Sequence, residues 1–364
     1  MNAIILAGGI GTRLRPLSCT RPKLLFPILN KPLLDWTMQR LADSGVNGVT
    51  LAVKYMSEVF MLRYGEQKHG LKISYSKEKK PMRTGGAIKY AENLIGHGEP
   101  FFVLNGDIFS TIDFKALLEQ HKKNKAVATI ALYTVEDPRR YGTVKLTKNN
   151  QITQFVEKAP KEQAPSNFIN AGIYVLEPEI FDYIPAGRPV SIEHEVFPVL
   201  AMEGKLFGYK FEDIWIDIGK PDDYLKANRM MLDVQQKKRL IAADAAIKEG
   251  VKLVDPVCVD SGVSIGKNSQ VGPYTVVGNG VEVGANVCLT DSVVFPDAVI
   301  SDGASVTGAV IGEGTIIGEG TKIMQGCVIG DYVNVHDNVT ISRDVTVCHS
   351  KEVTKDVLDS ERII

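Results

Sequence analysis

The stretch that decides the fold is Asn2-Ala3-Ile4-Ile5-Leu6-Ala7-Gly8-Gly9-Ile10-Gly11, at the start of a 364-residue chain. Ala3–Ala7 is a short apolar run that ends abruptly at glycines, which predicts a buried strand followed by a turn. Glycines allow a backbone to approach a ligand closely, and ligands of parallel α/β sheets bind at the carboxyl ends of the strands. The stretch therefore predicts the first strand of such a sheet and a ligand-binding loop after it.

The sequence beyond this stretch alternates apolar runs with amphipathic segments. Further strands are predicted at Val49–Val53, Leu71–Tyr75 and Pro100–Leu104, and helices at Pro32–Ser44, Ser57–Tyr64 (capped by Ser57), Gly85–Leu94 and Phe114–His121. This alternation is typical of a doubly wound, Rossmann-like parallel sheet. Gly8–Gly11 and Asn105–Asp107 each follow a strand, so we expect them to meet at one edge of the sheet.

The middle of the chain predicts an added β subdomain and then a helix. Its strands are expected at Ala126–Tyr133, Thr143–Leu146, Ile152–Glu157 and Ile169–Leu176. A helix from Asp222 to about Arg239 follows, and then a polar linker. We therefore expect two domains, 1–239 and 251–364, because 364 residues exceed the size of one ordinary core.

The last third of the chain has a period of six. Aliphatic residues recur at Ile265, Val271, Val277, Val283 and Leu289, and again at Ile311, Ile317, Ile323, Ile329, Val335, Ile341 and Val347, many of them followed by glycine. This period predicts a parallel β-helix; the alternative is a loose run of valine-rich strands. The register slips between Leu289 and Ile311, where we expect a longer corner loop near Pro296. The expected role is structural or oligomer-forming, which favours a homo-oligomer.

Composition narrows the function classes. A net charge of −1 gives no broad electrostatic footprint for nucleic acid or an anionic membrane. No apolar run approaches the roughly 20 residues that span a bilayer, and no basic signal-peptide region precedes the first strand. The five cysteines are scattered without a C-x-x-C pair, which argues against zinc or disulfides and favours a cytoplasmic protein.

A local cluster of cations follows the first glycines: Arg13, Arg15, Arg21 and Lys23. The segment lacks the Gly-Lys-Ser/Thr of a Walker loop, and Leu14 stands where a dinucleotide fingerprint has its third glycine. Glycine N–H groups and clustered cations suit a triphosphate. The alternative is a tight turn with solvated arginines.

Two aspartates are candidate metal ligands. Asp107 ends a predicted strand beside Gly106, and Asp217 lies in the apolar run Trp215-Ile216-Asp217-Ile218-Gly219. Carboxylates suit Mg²⁺, which prefers oxygen ligands and substrate phosphates. The alternatives are a turn aspartate at 107 and a salt bridge or turn cap at 217.

Polar groups at strand edges complete the set. Glu157-Lys158 and Asn170-Ala171-Gly172 suit sugar hydroxyls and a sugar phosphate, although a Glu-Lys pair is often merely solvated.

Together these motifs resemble the nucleotide-sugar pyrophosphorylases. The similarity runs through Leu6–Pro16, Arg21-Pro22-Lys23, Asn105-Gly106-Asp107, Tyr141-Gly142, Val156-Glu157-Lys158, Asn170-Ala171-Gly172 and Trp215–Gly219, in the family's order. The hexapeptide tail and the segment Ser191–Pro198 are similar to those of the mannose-1-phosphate guanylyltransferase subgroup. The resemblance implies a Rossmann-like nucleotidyltransferase domain followed by a left-handed parallel β-helix.

The resemblance also implies roles for individual residues. Arg13 and Lys23 would be catalytic, and Asp107 and Asp217 would hold Mg²⁺. The nucleotide would be bound by Leu6, Ala7, Gly8, Gly9, Gly11, Thr12, Gly85 and Gly86, and the sugar phosphate by Gly142, Glu157, Lys158, Asn170 and Gly172. The implied reaction is an in-line attack of a sugar 1-phosphate on a nucleoside triphosphate, with pyrophosphate leaving.

One residue departs from the family's pattern and leaves the nucleotide open. Arg83, in Met82-Arg83-Thr84-Gly85-Gly86, stands where the family usually has a glycine beside the base. Mannose 1-phosphate with GTP is the expected substrate pair. The alternatives are glucose 1-phosphate with UTP or dTTP, a regulatory subunit without catalysis, and a second, acyl-transferring activity on the β-helix.

Overall fold

The computed structural model describes residues 1–96 and 98–358 and the backbone of Arg362–Ile363. Its contacts group the chain into two compact units. The first consists of Met1–Gly9 and Leu34–Asp217, and the second of Ile10–Leu33 and Ile218–Ile364. Packing thus divides the chain differently from the sequence pattern, since the glycine-rich loop joins the C-terminal unit. The limits 1–239 and 251–364 stay a prediction about independently folding domains.

A ten-stranded sheet forms the first unit. Asn2–Leu6 lies in its middle and pairs in parallel with Gly48–Val53 on one side and Phe101–Asn105 on the other. In spatial order the sheet runs Ile152–Glu157, Gly142–Leu146, Phe168–Leu176, Phe101–Asn105, Asn2–Leu6, Gly48–Val53, Leu71–Lys77 and Gln67–Lys68. Ala128–Thr134 also pairs with Phe168–Leu176, and Leu206–Lys210 pairs with Ala128–Thr134. The central strands are apolar and buried, as a sheet covered on both faces requires.

Helices cover the sheet of the first unit at Leu33–Asp43, Ser57–Tyr64, Arg83–Tyr90, Glu92–Ile95, Phe114–Asn124 and Phe197–Met202, the last preceded by the π-helical turn Ile192–Val196. Single 3₁₀ turns lie at Lys161–Gln163 and Pro178–Tyr183. The pair Ile108–Ser110 and Trp215–Asp217 forms a separate small ladder. Ser57 does not cap its helix: Met56 occupies the cap position in a left-handed conformation, and the Ser57 hydroxyl donates to Glu58.

The second unit is a parallel β-helix with a loop and one long helix packed on it. Its loop contains Thr12–Leu14, Leu17–Thr20, Lys23–Leu25 and the hairpin Pro27–Ile28 with Lys31–Pro32, and its long helix is Pro221–Val234. The predicted helix end near Arg239 is wrong, as is the linker after it. Arg239–Ile241 already pairs with Val257–Val259 as the first strand of the β-helix.

Three stacked parallel sheets build the coils. The first sheet contains Arg239–Ile241, Val257–Val259, Thr275–Val277, Val293–Val294, Val310–Ile311, Val328–Ile329, Thr346–Val347 and Arg362–Ile363. The second contains Ala246–Ile247, Ser264–Ile265, Glu282–Val283, Val299–Ile300, Ile316–Ile317, Asn334–Val335 and Glu352–Val353. The third contains Lys252–Leu253, Gln270–Val271, Cys288–Thr290, Ser305–Thr307, Lys322–Ile323 and Thr340–Ile341. The six-period aliphatics point inward and are buried. The predicted fold class, a Rossmann-like domain with a C-terminal left-handed parallel β-helix, is confirmed.

The register slip has a different cause from the predicted one. Val257 pairs with Thr275, 18 residues on, but Val276 pairs with Val293 and Val293 with Val310, only 17 residues on in each case. Two turns, after Cys288–Thr290 and after Ser305–Thr307, are each one residue short. The expected longer loop near Pro296 is therefore wrong.

Within the described part of the chain, none of the helices has the length and apolarity needed to cross a bilayer.

Candidate active site

The end of the first strand meets the segment Asn105–Asp107, whereas the predicted meeting of the whole loop Gly8–Gly11 with that segment stays a prediction. Leu6 is the parallel neighbour of Asn105, and the Gly106 N–H donates to the Leu6 carbonyl over 3.0 Å. On the other side, the Ala7 N–H donates to the Ala52 carbonyl over 2.8 Å. A Cβ at Gly9 would meet no atom within 4 Å, so the start of the glycine-rich loop leaves open space at this position.

The two predicted metal ligands are neighbours in the first unit. Asp217 lies opposite Ile108 in the antiparallel ladder, which places Asp107 one residue away from this pairing. Asp107 itself precedes the ladder, so the register brings the two residues close together in the chain's fold, and a cation shared by their carboxylates stays a prediction. No group of three or more metal-ligating side chains occurs among the described residues, so this donor set consists of two carboxylates. A divalent cation that keeps water and substrate phosphates as further ligands fits it.

Arg140 was missed by the sequence analysis and lies in the same place. Its guanidinium is 3.9 Å from the Asp217 carboxylate and 5.8 Å from the ring centroid of the adjacent Tyr141. Arg140 directly precedes the predicted motif Tyr141-Gly142, but an arginine in a loop gives no signal of its own. The structure thus adds a cation to the carboxylate end of the site.

Gly142 and Glu157 form the centre of the predicted sugar site. They are opposed in the antiparallel pair, and a Cβ at Gly142 would stand 2.4 Å from Oε2 of Glu157. That oxygen is buried and has no hydrogen-bond partner among the described residues, while Lys158 Nζ lies 3.5 Å from Oε1. Burial raises the pKa of Glu157, and the neighbouring Lys158 partly opposes this. An unsatisfied buried acceptor is costly, and a ligand that donates a hydrogen bond would remove this cost.

Asn170 and Gly172 lie at a bulge in the strand Phe168–Leu176. Gly172 has φ +71°, and a Cβ there would be 2.7 Å from Nδ2 of Asn105. The Asn170 side chain accepts from the Gly172 N–H over 2.9 Å and donates to the Tyr174 hydroxyl over 3.0 Å. Oδ1 of Asn105 is a second buried acceptor without a partner in the described residues. The polar groups predicted on this strand therefore converge on the end of the Asn105 strand.

The two glycines predicted to contact the base have a packing role in the structure. A Cβ at Gly85 would be 3.1 Å from Val190 Cγ1, and one at Gly86 would be 2.8 Å from Met82 Cβ. The Gly86 N–H also donates to the Val190 carbonyl over 3.1 Å. The helix Arg83–Tyr90 is thereby pressed onto the segment around Val190, and the assignment of both glycines to the base stays a prediction.

Glu193 is a second residue that the sequence analysis gave no role. It accepts from the Thr84 hydroxyl over 2.5 Å and from the Ser191 hydroxyl over 2.7 Å. Its charge also acts on Glu157, raising the pKa of that carboxyl further. Glu193 thus links the predicted base segment to the predicted sugar residues, and the segment Ser191–Pro198 carried the only signal for it.

The two cations predicted to be catalytic, Arg13 and Lys23, belong to the second unit. Gly11 has φ +66°, and its carbonyl accepts from the Ser18 hydroxyl over 2.8 Å. Arg13 is exposed beside a cavity of about 680 Å³, which is also lined by Thr12 and Arg15. Lys23 is buried at the start of its 3₁₀ turn, against the α-carbon of Gly11. The loop therefore holds the predicted cations in one folded segment.

The structure thus groups the predicted residues by unit. The first unit brings together Leu6, Ala7, Gly8, Gly9, Asp107, Asp217, Gly142, Glu157, Lys158, Asn170 and Gly172 at the ends of neighbouring strands, with Gly85 and Gly86 on the adjoining helix. The second unit brings together Gly11, Thr12, Arg13 and Lys23. The roles of all these residues stay predictions.

Comparison with known proteins gives a consistent answer. A mannose-1-phosphate guanyltransferase of Yarrowia lipolytica is 42% identical over 264 residues, covering 70% of this chain and 72% of that one. A mannose-1-phosphate guanylyltransferase catalytic subunit beta of Xenopus tropicalis is 39% identical over 272 residues, covering 74% of each chain.

Solved structures with similar folds cover the N-terminal two thirds. HddC from Yersinia pseudotuberculosis superposes with a TM-score of 0.55 at 31% identity, covering 63% of this chain and 99% of its own. The same protein complexed with GMP-PN gives a TM-score of 0.53 at 30% identity, with the same coverage.

Family models match both parts of the sequence. The nucleotidyl transferase model matches residues 2–234, and the model of the GMPPB C-terminal domain matches residues 253–364. The resemblance to nucleotide-sugar pyrophosphorylases is thereby confirmed. The chain is an enzyme that belongs to the nucleotidyl transferase family and carries a GMPPB-type C-terminal domain.

Proposed function

We propose that this enzyme joins mannose 1-phosphate to GTP, giving GDP-mannose and pyrophosphate. The relatives of Yarrowia and Xenopus bear the name of this activity and are 42% and 39% identical to the chain over 264 and 272 residues. The HddC structure complexed with GMP-PN is in line with a guanine nucleotide as the donor.

The observation that carries the proposal is the buried Oε2 of Glu157. This oxygen has no hydrogen-bond donor in the described residues. A side chain at position 142, directly opposite, cannot supply one, because even its Cβ would stand too close to the oxygen. A sugar hydroxyl supplies the missing donor, and binding then removes the cost of a buried acceptor. Oδ1 of Asn105, unpartnered in the same way, gives a second acceptor on the adjoining strand. Two such acceptors suit a ligand with several hydroxyl groups.

The chemistry needs no general base. The second pKa of a sugar phosphate is about 6, so the attacking oxygen is already anionic near neutral pH. That oxygen forms a bond to the α-phosphorus of the nucleotide. The bond between the α-phosphorus and the oxygen that bridges to the β-phosphorus breaks, and pyrophosphate leaves with the electron pair. Arg13 and Lys23 neutralise charge on the phosphates, and Lys158 holds the sugar phosphate.

A divalent cation completes the site. Asp107 and Asp217 would hold it, and it would neutralise phosphate charge as the leaving group departs. Carboxylate oxygens with room for water are the donor set that Mg²⁺ prefers, so we propose Mg²⁺. We further propose that the enzyme works in the cytoplasm as a homo-oligomer, with the β-helix as the assembling surface.

The test is a screen for pyrophosphate release. Purified enzyme with Mg²⁺ is incubated with GTP, UTP, dTTP, ATP or CTP against mannose-, glucose- and N-acetylglucosamine 1-phosphate. We expect GTP with mannose 1-phosphate to be turned over at least tenfold faster, as kcat/KM, than any other pair. A preference for glucose 1-phosphate with UTP or dTTP would replace the proposed substrates, and no release from any pair would refute the activity.

A further inference from the structure

The sequence places Arg21 among the cations expected to bind the triphosphate. In the structure its guanidinium forms ion pairs with carboxylates of the β-helix instead. The NH2 nitrogen of Arg21 lies 2.6 Å from Oδ2 of Asp331 and 2.9 Å from Oε2 of Glu313. Its guanidinium carbon also lies 4.9 Å from the ring centroid of Phe295. These three partners lie on successive coils, since Val294, Ile311 and Ile329 pair in sequence. Arg21 is therefore an anchor of the loop.

Asp331 is a buried carboxylate whose partners come mostly from the loop. Its side chain is 0% exposed, and its Oδ1 accepts from the Glu313 N–H over 2.8 Å. Its Oδ2 accepts from the Thr20 hydroxyl and from Arg21. An ionised carboxylate buried without a cation is strongly disfavoured. Thr20 and Arg21 therefore supply the hydrogen bonds and the positive charge that this buried carboxylate needs.

The anchor lies between the two predicted catalytic cations in the chain. Lys23 follows Arg21 after the buried Pro22, and Gly11 packs against the Lys23 side chain with a Cβ position 3.5 Å from Lys23 Cβ. The Ser18 hydroxyl closes the loop on the Gly11 carbonyl. A displacement at position 21 is thus passed along a short, internally bonded segment to Lys23 and to the turn that carries Arg13.

We propose that Asp331 is a positioning residue for nucleotidyl transfer: through Thr20 and Arg21 it fixes the loop that carries Arg13 and Lys23. The proposal rests on the proposed function for its kinetic part. The β-helix then contributes to the transfer step itself, because transition-state stabilisation depends on charges held in place beforehand.

A second pair in the same unit supplies a matched control. Arg229, on the helix Pro221–Val234, makes a bidentate ion pair with Asp291 of the β-helix. Among the described residues, neither of these two side chains makes a hydrogen bond or ion pair with residues 10–26, although the helix itself hydrogen-bonds to the loop at Pro27 and Leu29. Asp291→Asn therefore removes the same kind of interaction without releasing the anchor.

The experiment combines amide hydrogen exchange with kinetics on the full-length enzyme. In D331N we expect amides of residues 10–26 to exchange at least fivefold faster, and kcat to fall at least tenfold with each KM changed less than threefold. D291N should stay within twofold of the wild type in both measurements. Arg21→Gln should reproduce D331N, and Arg21→Lys, which keeps a cation, should recover at least a third of the wild-type kcat.

Thr20→Val serves if D331N does not fold, since it removes one hydrogen bond and leaves the charges paired. We expect a two- to fivefold rise in loop exchange and a parallel fall in kcat. Unchanged amide exchange in D331N or T20V would refute the proposal that Asp331 orders the loop. A loss of kcat in D291N equal to that in D331N would show that Asp331 has only a general structural role. If the wild type turns over no substrate pair, the proposed function fails, and the exchange ratio still decides whether Asp331 orders the loop.

Discussion

Gly142 lies directly opposite Glu157, and even a methyl group at position 142 would stand 2.4 Å from the buried carboxylate oxygen. Gly142→Ala should therefore displace the Glu157 carboxylate and raise the KM for the sugar phosphate at least tenfold, with a smaller effect on the KM for the nucleotide. Gly208→Ala is the control, because its Cβ would press on Leu132 Cδ1 at 2.3 Å, away from Glu157. It should lower the melting temperature without changing the sugar KM. Equal KM values in G142A and the wild type would contradict the sugar site.

The free energy of unfolding should depend on pH in part through the ionisation of Glu157. Burial raises its pKa, so the native protein takes up a proton at a higher pH than the unfolded chain, whose glutamates titrate near 4.3. The cost of the buried charge is present in full above the raised pKa and is lost as the pH falls through it. The free energy of unfolding of E157Q, measured by urea denaturation, should therefore rise relative to the wild type between pH 4 and pH 8. Glu162→Gln, at an exposed glutamate, is the control substitution.

Removal of either carboxylate of the proposed metal site should strongly lower metal-dependent turnover. Asp107→Ala and Asp217→Asn should each lower kcat/KM by about 10²-fold or more, because one lost electrostatic contact at a transferring phosphoryl group costs that much. Folding, followed by circular dichroism, should be intact in D107A. Asp137→Asn is the control, since that exposed carboxylate pairs with Arg139. Near-normal rates in D107A at saturating Mg²⁺ would remove Asp107 from the metal site.

Arg13 should matter to the rate and hardly to the fold. Its side chain is exposed, so Arg13→Ala should change the melting temperature by no more than about 2 °C, in line with surface substitutions. The rate of pyrophosphate release should fall by about 10²–10³-fold. Arg63→Ala, at an exposed arginine on the helix Ser57–Tyr64, should leave the rate unchanged. A change in sugar preference alone would show that Arg13 has a different role.

Arg83 offers a test of nucleotide choice. It has φ +57°, a left-handed conformation that costs a non-glycine residue roughly 1 kcal/mol, and its side chain is exposed. Arg83→Gly should therefore keep or raise the melting temperature. If position 83 contacts the base, the ratio of kcat/KM for GTP to that for the other nucleotides should change at least threefold. An unchanged ratio would move nucleotide choice to other residues.

The sequence predicted the parts of the fold that depend on local periodicity. The strand at Ile152–Glu157 and the helix at Ser57–Tyr64 were placed at their observed bounds, and the six-residue period of Ile311–Val347 predicted the β-helix. These succeed because burial on one face imposes a fixed spacing on apolar residues.

The missed features depend on partners far away in the chain. Arg21 reads as one more cation of a basic cluster, and only the fold brings it to Asp331, 310 residues on. Glu193 lies in a segment that shows the resemblance, but its own contact becomes visible only when the fold places Thr84 against it. The sequence analysis did not predict the two shortened turns of the β-helix, because a missing residue and a longer loop interrupt the period of six in the same way. Local spacing therefore predicted the coils but not their turns.

The guanidinium of Arg21 spans three coils of a repeat structure, and this limits how the β-helix can lose or gain repeats. In a solenoid each repeat contacts only its neighbours, so fraying starts at an end and proceeds coil by coil. Coils beyond the one that carries Asp331 can open while the anchor stays whole. Once fraying reaches Asp331, the next coil can open only if Thr20 and Arg21 also let go. The docked loop therefore opposes further unfolding of the coils from the C-terminal end. A whole coil inserted between Phe295 and Asp331 would also move the three partners of Arg21 too far apart for one side chain to contact.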